Sequence, residues 1–144
     1  MSVCDVDFSD VSDDADPVEF FERTTVKRAK KDHICDDCCE TIPAGASYER
    51  ISYRFEGEFT MDRICANCRE TAGEFSHYVF GGLLWPNFEE QWDNGSPLQA
   101  CLNRLSSASA KAHMHRRWQA WQEKRAESRR RAIERRKPTT EPHP

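Results

Sequence analysis

Two Cys-x-x-Cys pairs, Cys35/Cys38 and Cys65/Cys68, constrain this chain more than any other feature. A turn of that spacing sets two thiolates on one side of a metal ion, and two such turns complete the tetrahedron that zinc prefers. A site filled by four sulfurs leaves no open position for water or substrate, so the pattern points to structural rather than catalytic zinc. Two disulfides are the rival reading. The opening residues, Met1-Ser2-Val3-Cys4-Asp5, begin an acidic stretch without the apolar run of a signal peptide. A reducing, cytoplasmic setting is therefore expected, which disfavours disulfides and favours the metal. The βαβ pattern that accompanies a thioredoxin-type redox pair is absent. Inside the site, Cys39 can stand in for Cys38 and His33 can replace a thiolate, but His33 reads rather as a donor to sulfur or as a plain surface residue. Cys38 is the expected ligand. Cys4 and Cys101 read as a tail thiol and a small core residue.

The segment between the pairs reads as a β-hairpin. Ile42-Pro43-Ala44-Gly45 ends the first knuckle, and residues 47–55 alternate large and polar side chains as a half-buried strand does. Glu56-Gly57-Glu58 supplies the turn, with Gly57 free to take a positive φ. Residues 59–64 return to the second pair, which opens a helix through Arg69 and Glu70. Knuckle, hairpin and a helix carrying the last two ligands is the plan of a treble clef. So small a module buries little apolar surface, and the metal supplies much of its folding energy. Structural zinc in finger peptides contributes on the order of 10–16 kcal/mol.

The run Ala29-Lys30-Lys31-Asp32-His33-Ile34-Cys35-Asp36-Asp37-Cys38, with residues 42–48 and Cys65-Ala66-Asn67-Cys68, resembles small zinc-finger proteins of bacteriophages and prophages. The resemblance covers about residues 20–80. It implies a treble-clef-like zinc module in a bacterial host cytoplasm, and it implies no reaction. His-Asn-His nucleases also use a treble clef, with a base histidine on the hairpin. Residues 46–63 hold no histidine, and His77 has no histidine partner on its helix, so a nuclease is not expected.

The net charge of −4 conceals a segregation. Residues 1–22 hold Asp5, Asp7, Asp10, Asp13, Asp14, Asp16, Glu19 and Glu22 and no base, whereas residues 111–137 are strongly basic. An acidic disordered tail is expected over residues 1–16, the zinc module over 17–82, a helical extension packed on it over 83–112, and a basic helix with a flexible end over 113–144. Asp16-Pro17 reads as the start of a short helical turn, with Val18, Phe20 and Phe21 packing on the module. Arg23, Lys27, Arg28, Lys30 and Lys31 screen the anionic metal centre or form a phosphate-binding edge, screening or plain solvation being preferred. Arg69 to Phe80 continues the finger helix, with Tyr78 and Val79 near its apolar face and Gly81-Gly82 as its stop. A short helix follows over residues 87–93, then one begun by Ser96-Pro97 and carrying a stripe of Leu98, Cys101, Leu102, Leu105, Ala108 and Ala112. The fold class is α+β: the zinc module, then α-helices ending in a long basic one.

Beyond Ala112 the apolar stripe thins and the bases take over. Arg116, Arg117, Trp118, Trp121, Lys124, Arg125, Arg129, Arg130, Arg131, Arg135 and Arg136 are the candidate partner-binding residues. His113 and His115 point in different directions on a helix and read as surface residues. Arginine suits phosphate, and tryptophan anchors protein interfaces. Two functions follow: a non-enzymatic regulator that grips nucleic acid or a nucleoprotein complex, or a phage-encoded inhibitor or adaptor that docks on a host transcription or antiviral-defence protein. No phosphate loop, Gly-x-Ser-x-Gly elbow or His-Glu-x-x-His pair is present, so neither enzyme chemistry nor a small-molecule substrate is expected. No run is long and apolar enough for a membrane helix.

Overall fold

The computed structural model describes Cys4, residues 20–75 and residues 82–136. The tail expected to be disordered, the helical turn at Asp16-Pro17, the packing of Val18, the side chains of Phe20 and Phe21, and His77 through Gly81 lie outside the described residues, Cys4 excepted. Strand β1 (Phe20–Val26) is followed by two short strands, β2 (His33–Ile34) and β3 (Thr41–Ile42), and by the hairpin of β4 (Tyr48–Phe55) and β5 (Glu58–Cys65). Helices α1 (Ala66–Phe75), α2 (Leu84–Asp93), α3 (Leu98–Leu102) and α4 (Ala108–Arg136) complete the α+β chain. The strands form two antiparallel sheets, one of order β1-β4-β5 and one of β2 with β3.

The hairpin turns on two residues, Glu56 and Gly57, both with positive φ (52° and 79°). That left-handed pair matches the twist of the flanking strands, and glycine meets it without strain. Strand β1 is a departure from expectation. Thr24, Thr25 and Val26 are β-branched and suit a strand, but the bases around them invite a charge reading instead. Its register sets Arg23 opposite Ile51 on β4, and Ile51 in turn faces Asp62 on β5. Opposed residues share a face, so Arg23, Glu49, Ile51, Asp62 and Ile64 line one side of the sheet. Glu49, Ile51, Asp62 and Ile64 are buried there.

A buried carboxylate is expensive unless it is paired. Glu49 is 3% exposed, and it is clamped by Arg23 of β1 and by Arg69 of α1, whose Nε lies 3.0 Å from Oε2. This pairing joins the edge strand to the finger helix. Tyr53 donates its hydroxyl to Asp62 at 3.4 Å, and burial, followed by the charge of Asp62, raises its pKa.

The helices add the larger part of the apolar core. Helix α2 buries Leu84, Trp85, Phe88 and Trp92 at helical spacing. It begins three residues before the expected Asn87, because Pro86 falls in the first turn, where no amide donor is required. Aromatic rings then run in series. Phe75 meets Phe88 edge-on at 5.3 Å, Phe88 lies 5.9 Å from Trp92, and Trp92 lies 5.6 Å from Trp121 of α4.

The single helical stripe expected from Leu98 to Ala112 is broken. Helix α3 stops at Leu102, and α4 starts at Ala108. Ser107 caps the new start, its Oγ accepting the Ala110 amide at 3.0 Å, while its own amide donates to Glu70 of α1. The restart changes the helical phase. Ala108 and Ala112 are exposed, and Ala110, His113, Met114 and Trp121 are buried instead.

Cys4 and Cys101 also depart from expectation. They form a disulfide spanning 97 positions, with both side chains buried. The chain at residue 4 is thus tied to α3, and neither residue is a free thiol. Pairing across such a distance leaves no local sign in either segment. Intact mass under denaturing conditions should show two alkylation sites that appear only after reduction. Cys101→Ala should lower unfolding stability by about 2–5 kcal/mol, the usual range for a lost native disulfide. Equal labelling before and after reduction would rule the bond out.

Candidate metal centre

Each of the four cysteines is delivered by a different local device. Cys35 follows β2, Cys38 closes the turn after it, Cys65 ends β5, and Cys68 sits in the first turn of α1. The knuckle is tied by the Cys35 amide donating to the Glu40 carbonyl and the Cys39 amide donating to the Cys35 carbonyl, both at 2.9 Å. Asp36 fastens the knuckle to the hairpin: its carboxylate accepts the Arg63 amide at 2.6 Å, and its amide donates to the Arg63 carbonyl at 2.8 Å.

The sulfurs meet as the spacing requires. Cys35 Sγ lies 3.8 Å from Cys68 Sγ, and Cys38 Sγ lies 3.8 Å from Cys65 Sγ. All four lie within 4.8 Å of one another, with Cys35, Cys38 and Cys68 buried and Cys65 half-buried. A tetrahedron with metal–sulfur bonds of about 2.3 Å has edges of roughly 3.8 Å, so the donor set fits an ion such as zinc. Cys39 is exposed, with φ of 63°, and stands outside the cluster. His33 also stands outside it, its ring tilted against Tyr48 at 5.4 Å.

Donors surround the sulfurs. The Cys65 amide points to Cys35 Sγ at 3.3 Å, the Cys68 amide to Cys65 Sγ at 3.4 Å, and the buried Trp85 Nε1 to Cys68 Sγ at 3.3 Å. Such bonds orient ligands and stabilise thiolate charge. Four thiols this close share their protons unequally. Hydrogen bonds from Cys38, Cys65 and Cys68 hold Cys35 far below the ordinary thiol range. The bonds with Cys35 push Cys38 and Cys68 above it. The neighbouring Asp37 is buried with neither oxygen hydrogen-bonded. Burial, then the charge of Cys35, raises it to about 7, while the nearby Gly82 amide pulls the other way without closing a bond.

Helix α4 closes over this centre, which sequence reasoning missed. His113, read as a surface residue, is fully buried. Its ring stands edge-on to Trp85 at 5.2 Å, and Nε2 lies 3.3 Å from Glu40 Oε2, although neither ring nitrogen completes a hydrogen bond. Cys38, Glu40 and His113 offer donor atoms within 4.8 Å of one another. One turn on, Arg116 Nη2 donates to Glu40 Oε1 at 3.0 Å, and Arg117 Nη1 donates to the Cys38 carbonyl at 3.2 Å. A helical spacing of three and four places His113, Arg116 and Arg117 on the side that faces the knuckle. The available signal was that spacing, with no hint of its target so far away in sequence.

The remaining candidate binding residues divide. Trp121 is buried against Trp92, so it belongs to the core rather than to an outward anchor. Trp118 is partly buried beside His115, whose ring lies 5.8 Å away. Arg125 lies over Trp121 at 4.8 Å, with its Nε 3.5 Å from Asp93. Lys124, Arg129, Arg130, Arg131, Arg135 and Arg136 are exposed on the rest of α4. Among the described residues no helix is long and apolar enough to cross a membrane. No family model, curated protein or solved structure matches this chain.

Loss of the Trp85 donor should weaken the metal without unfolding the protein. In Trp85→Phe, zinc affinity measured by chelator competition should fall about 10–100-fold, the usual effect of removing a ligand's outer partner. In Cys35→Ser the purified protein should carry no stoichiometric zinc, and the amide spectrum of the hairpin should collapse.

Proposed function

We propose that this chain is a non-enzymatic, zinc-binding regulator of the phage treble-clef type, and that it holds nucleic acid through the outer half of α4. One observation carries the reading. From Gln122 to Arg136 every residue is exposed except the half-buried Ala132, so this stretch has no core to serve. Its charges are also sorted around the helix. At about 100° per residue, Lys124, Arg125, Arg129, Arg131, Arg135 and Arg136 fall on one side, and Glu123, Glu127 and Glu134 on the other. Arg130 flanks the acidic side, and Arg131 reaches across to Glu127 at 2.8 Å. A one-sided cationic helix suits a phosphate backbone, where arginine forks add directional bonds.

The four sulfurs would take one zinc ion and fill its coordination, which suits a structural metal and provides no site for bound water. The knuckle, hairpin and helix order supports the treble-clef reading. The bacterial host rests on the resemblance alone, and the Cys4–Cys101 disulfide pulls against the reducing cytoplasm expected from the sequence, since reducing compartments keep such thiols open.

The test is salt-dependent binding of labelled DNA and RNA by the intact protein. Arg129→Ala/Arg130→Ala/Arg131→Ala should weaken binding to unrelated sequences alike and lower the salt slope by roughly one unit per lost contact. Because these side chains are exposed, zinc content and thermal stability should not change. A protein target, such as a host transcription or defence factor, would instead make Trp118→Ala cost more than the arginine changes and leave the captured partner insensitive to nuclease.

A further inference from the structure

Opposite the core side of the sheet lies a second cationic site that does not involve α4. We infer that Arg28, Lys30, Lys31 and Arg50 form a phosphate-binding pocket, walled by the rings of His33 and Tyr48. These residues line a cavity of about 510 Å³ where the β1–β2 connection meets β4. The inference deepens the nucleic-acid reading, on which it rests for the source of the phosphate: it gives the finger its own contact with the strand.

The cavity has no acid in its lining. Among the described residues, no carboxylate pairs with any of its four cations. Two of the nearby acids are committed elsewhere. Asp32 accepts the Ala44 amide at 2.8 Å, and Glu49 lies on the other, core side of the sheet, paired with Arg23 and Arg69.

Strand register adds an independent sign. Arg50 on β4 stands directly opposite Arg63 on β5, so the two share the open face of the sheet. Like charges in that position are destabilising. The Arg63 Nε is buried without a hydrogen-bond partner. An anion at this end of the sheet would relieve both costs. Screening of the metal centre is a poorer account of these cations, because Arg117 already reaches the knuckle from α4. Phosphate is favoured over carboxylate by the number of cations converging on one cavity.

The experiment compares the intact zinc-loaded protein with Lys30→Gln/Arg50→Gln and with the α4 triple-alanine variant. All of the replaced residues are exposed, and zinc content checks that each variant is folded. A fluorescent mixed-sequence single-stranded oligonucleotide is the first probe. The pocket variant should bind about 10-fold more weakly, and its salt slope should fall by about 1.4, the value for two lost contacts on a single strand. The α4 variant should lose its own increment and keep that of the pocket. Unchanged affinity and slope in the pocket variant would overturn the proposal, whatever the α4 variant does. Should the wild type bind no oligonucleotide, inorganic phosphate and a mononucleotide are titrated while the Lys30 and Arg50 amide signals are followed. Saturable shifts that the pocket variant lacks would uphold the pocket as a site for free phosphate and leave only the nucleic-acid reading refuted. No saturable shift with any probe would overturn both.

Discussion

Four sulfur atoms at tetrahedral spacing draw together pieces of chain that otherwise have little reason to meet. The knuckle is too short to fold alone, and the hairpin that separates it from α1 has one face open to solvent. Cys35 with Cys68, and Cys38 with Cys65, cross-connect those pieces at 3.8 Å. The two Asp36–Arg63 bonds, one to the Asp36 carboxylate and one from its amide, and the Cys65 amide bond to Cys35 reinforce the same junction. In an apo chain the four thiols must divide protons among themselves, which is a poor substitute for a divalent cation. Metal uptake and folding are therefore expected to be one thermodynamic event.

What the sulfur cluster does not hold, a paired charge and a series of rings do. Glu49 would be a liability inside the sheet if it lacked both Arg23 and Arg69, because its charge would then be stranded in a dry place. The series from Phe75 through Phe88 and Trp92 to Trp121 connects the finger helix with the last helix. Trp85 belongs to both systems. Its ring is in the aromatic core, and its indole N–H reaches a ligand sulfur.

Local features were legible from the sequence, and distant ones were not. The four-cysteine cluster, the hairpin with its turn at Gly57 and the helix that begins at the second cysteine pair all rest on spacing within a few residues. The long basic helix was readable because helix formers dominate it. Strand β1 was hidden because its bases spoke louder than Thr24, Thr25 and Val26. The α3–α4 break depended on Ser107 finding Glu70 and on its own cap. His113 could be placed only by knowing that α4 returns to the knuckle, and the Cys4–Cys101 pairing joins residues from opposite parts of the chain. For the candidate site, the sulfurs were visible, whereas the groups that cover them were not.

Helix α4 is one unbroken rod of 29 residues, gripping the knuckle near its start and standing in solvent at its end. Such a rod is a lever with its fulcrum at the Trp92–Trp121 contact. Were the proposed partner to tilt the outer arm, the movement would reach Arg116 and Arg117, which hold Glu40 and the carbonyl of Cys38. If the proposed partner and the proposed metal each favour one position of that rod, their binding is coupled, and by linkage the coupling has the same strength in both directions.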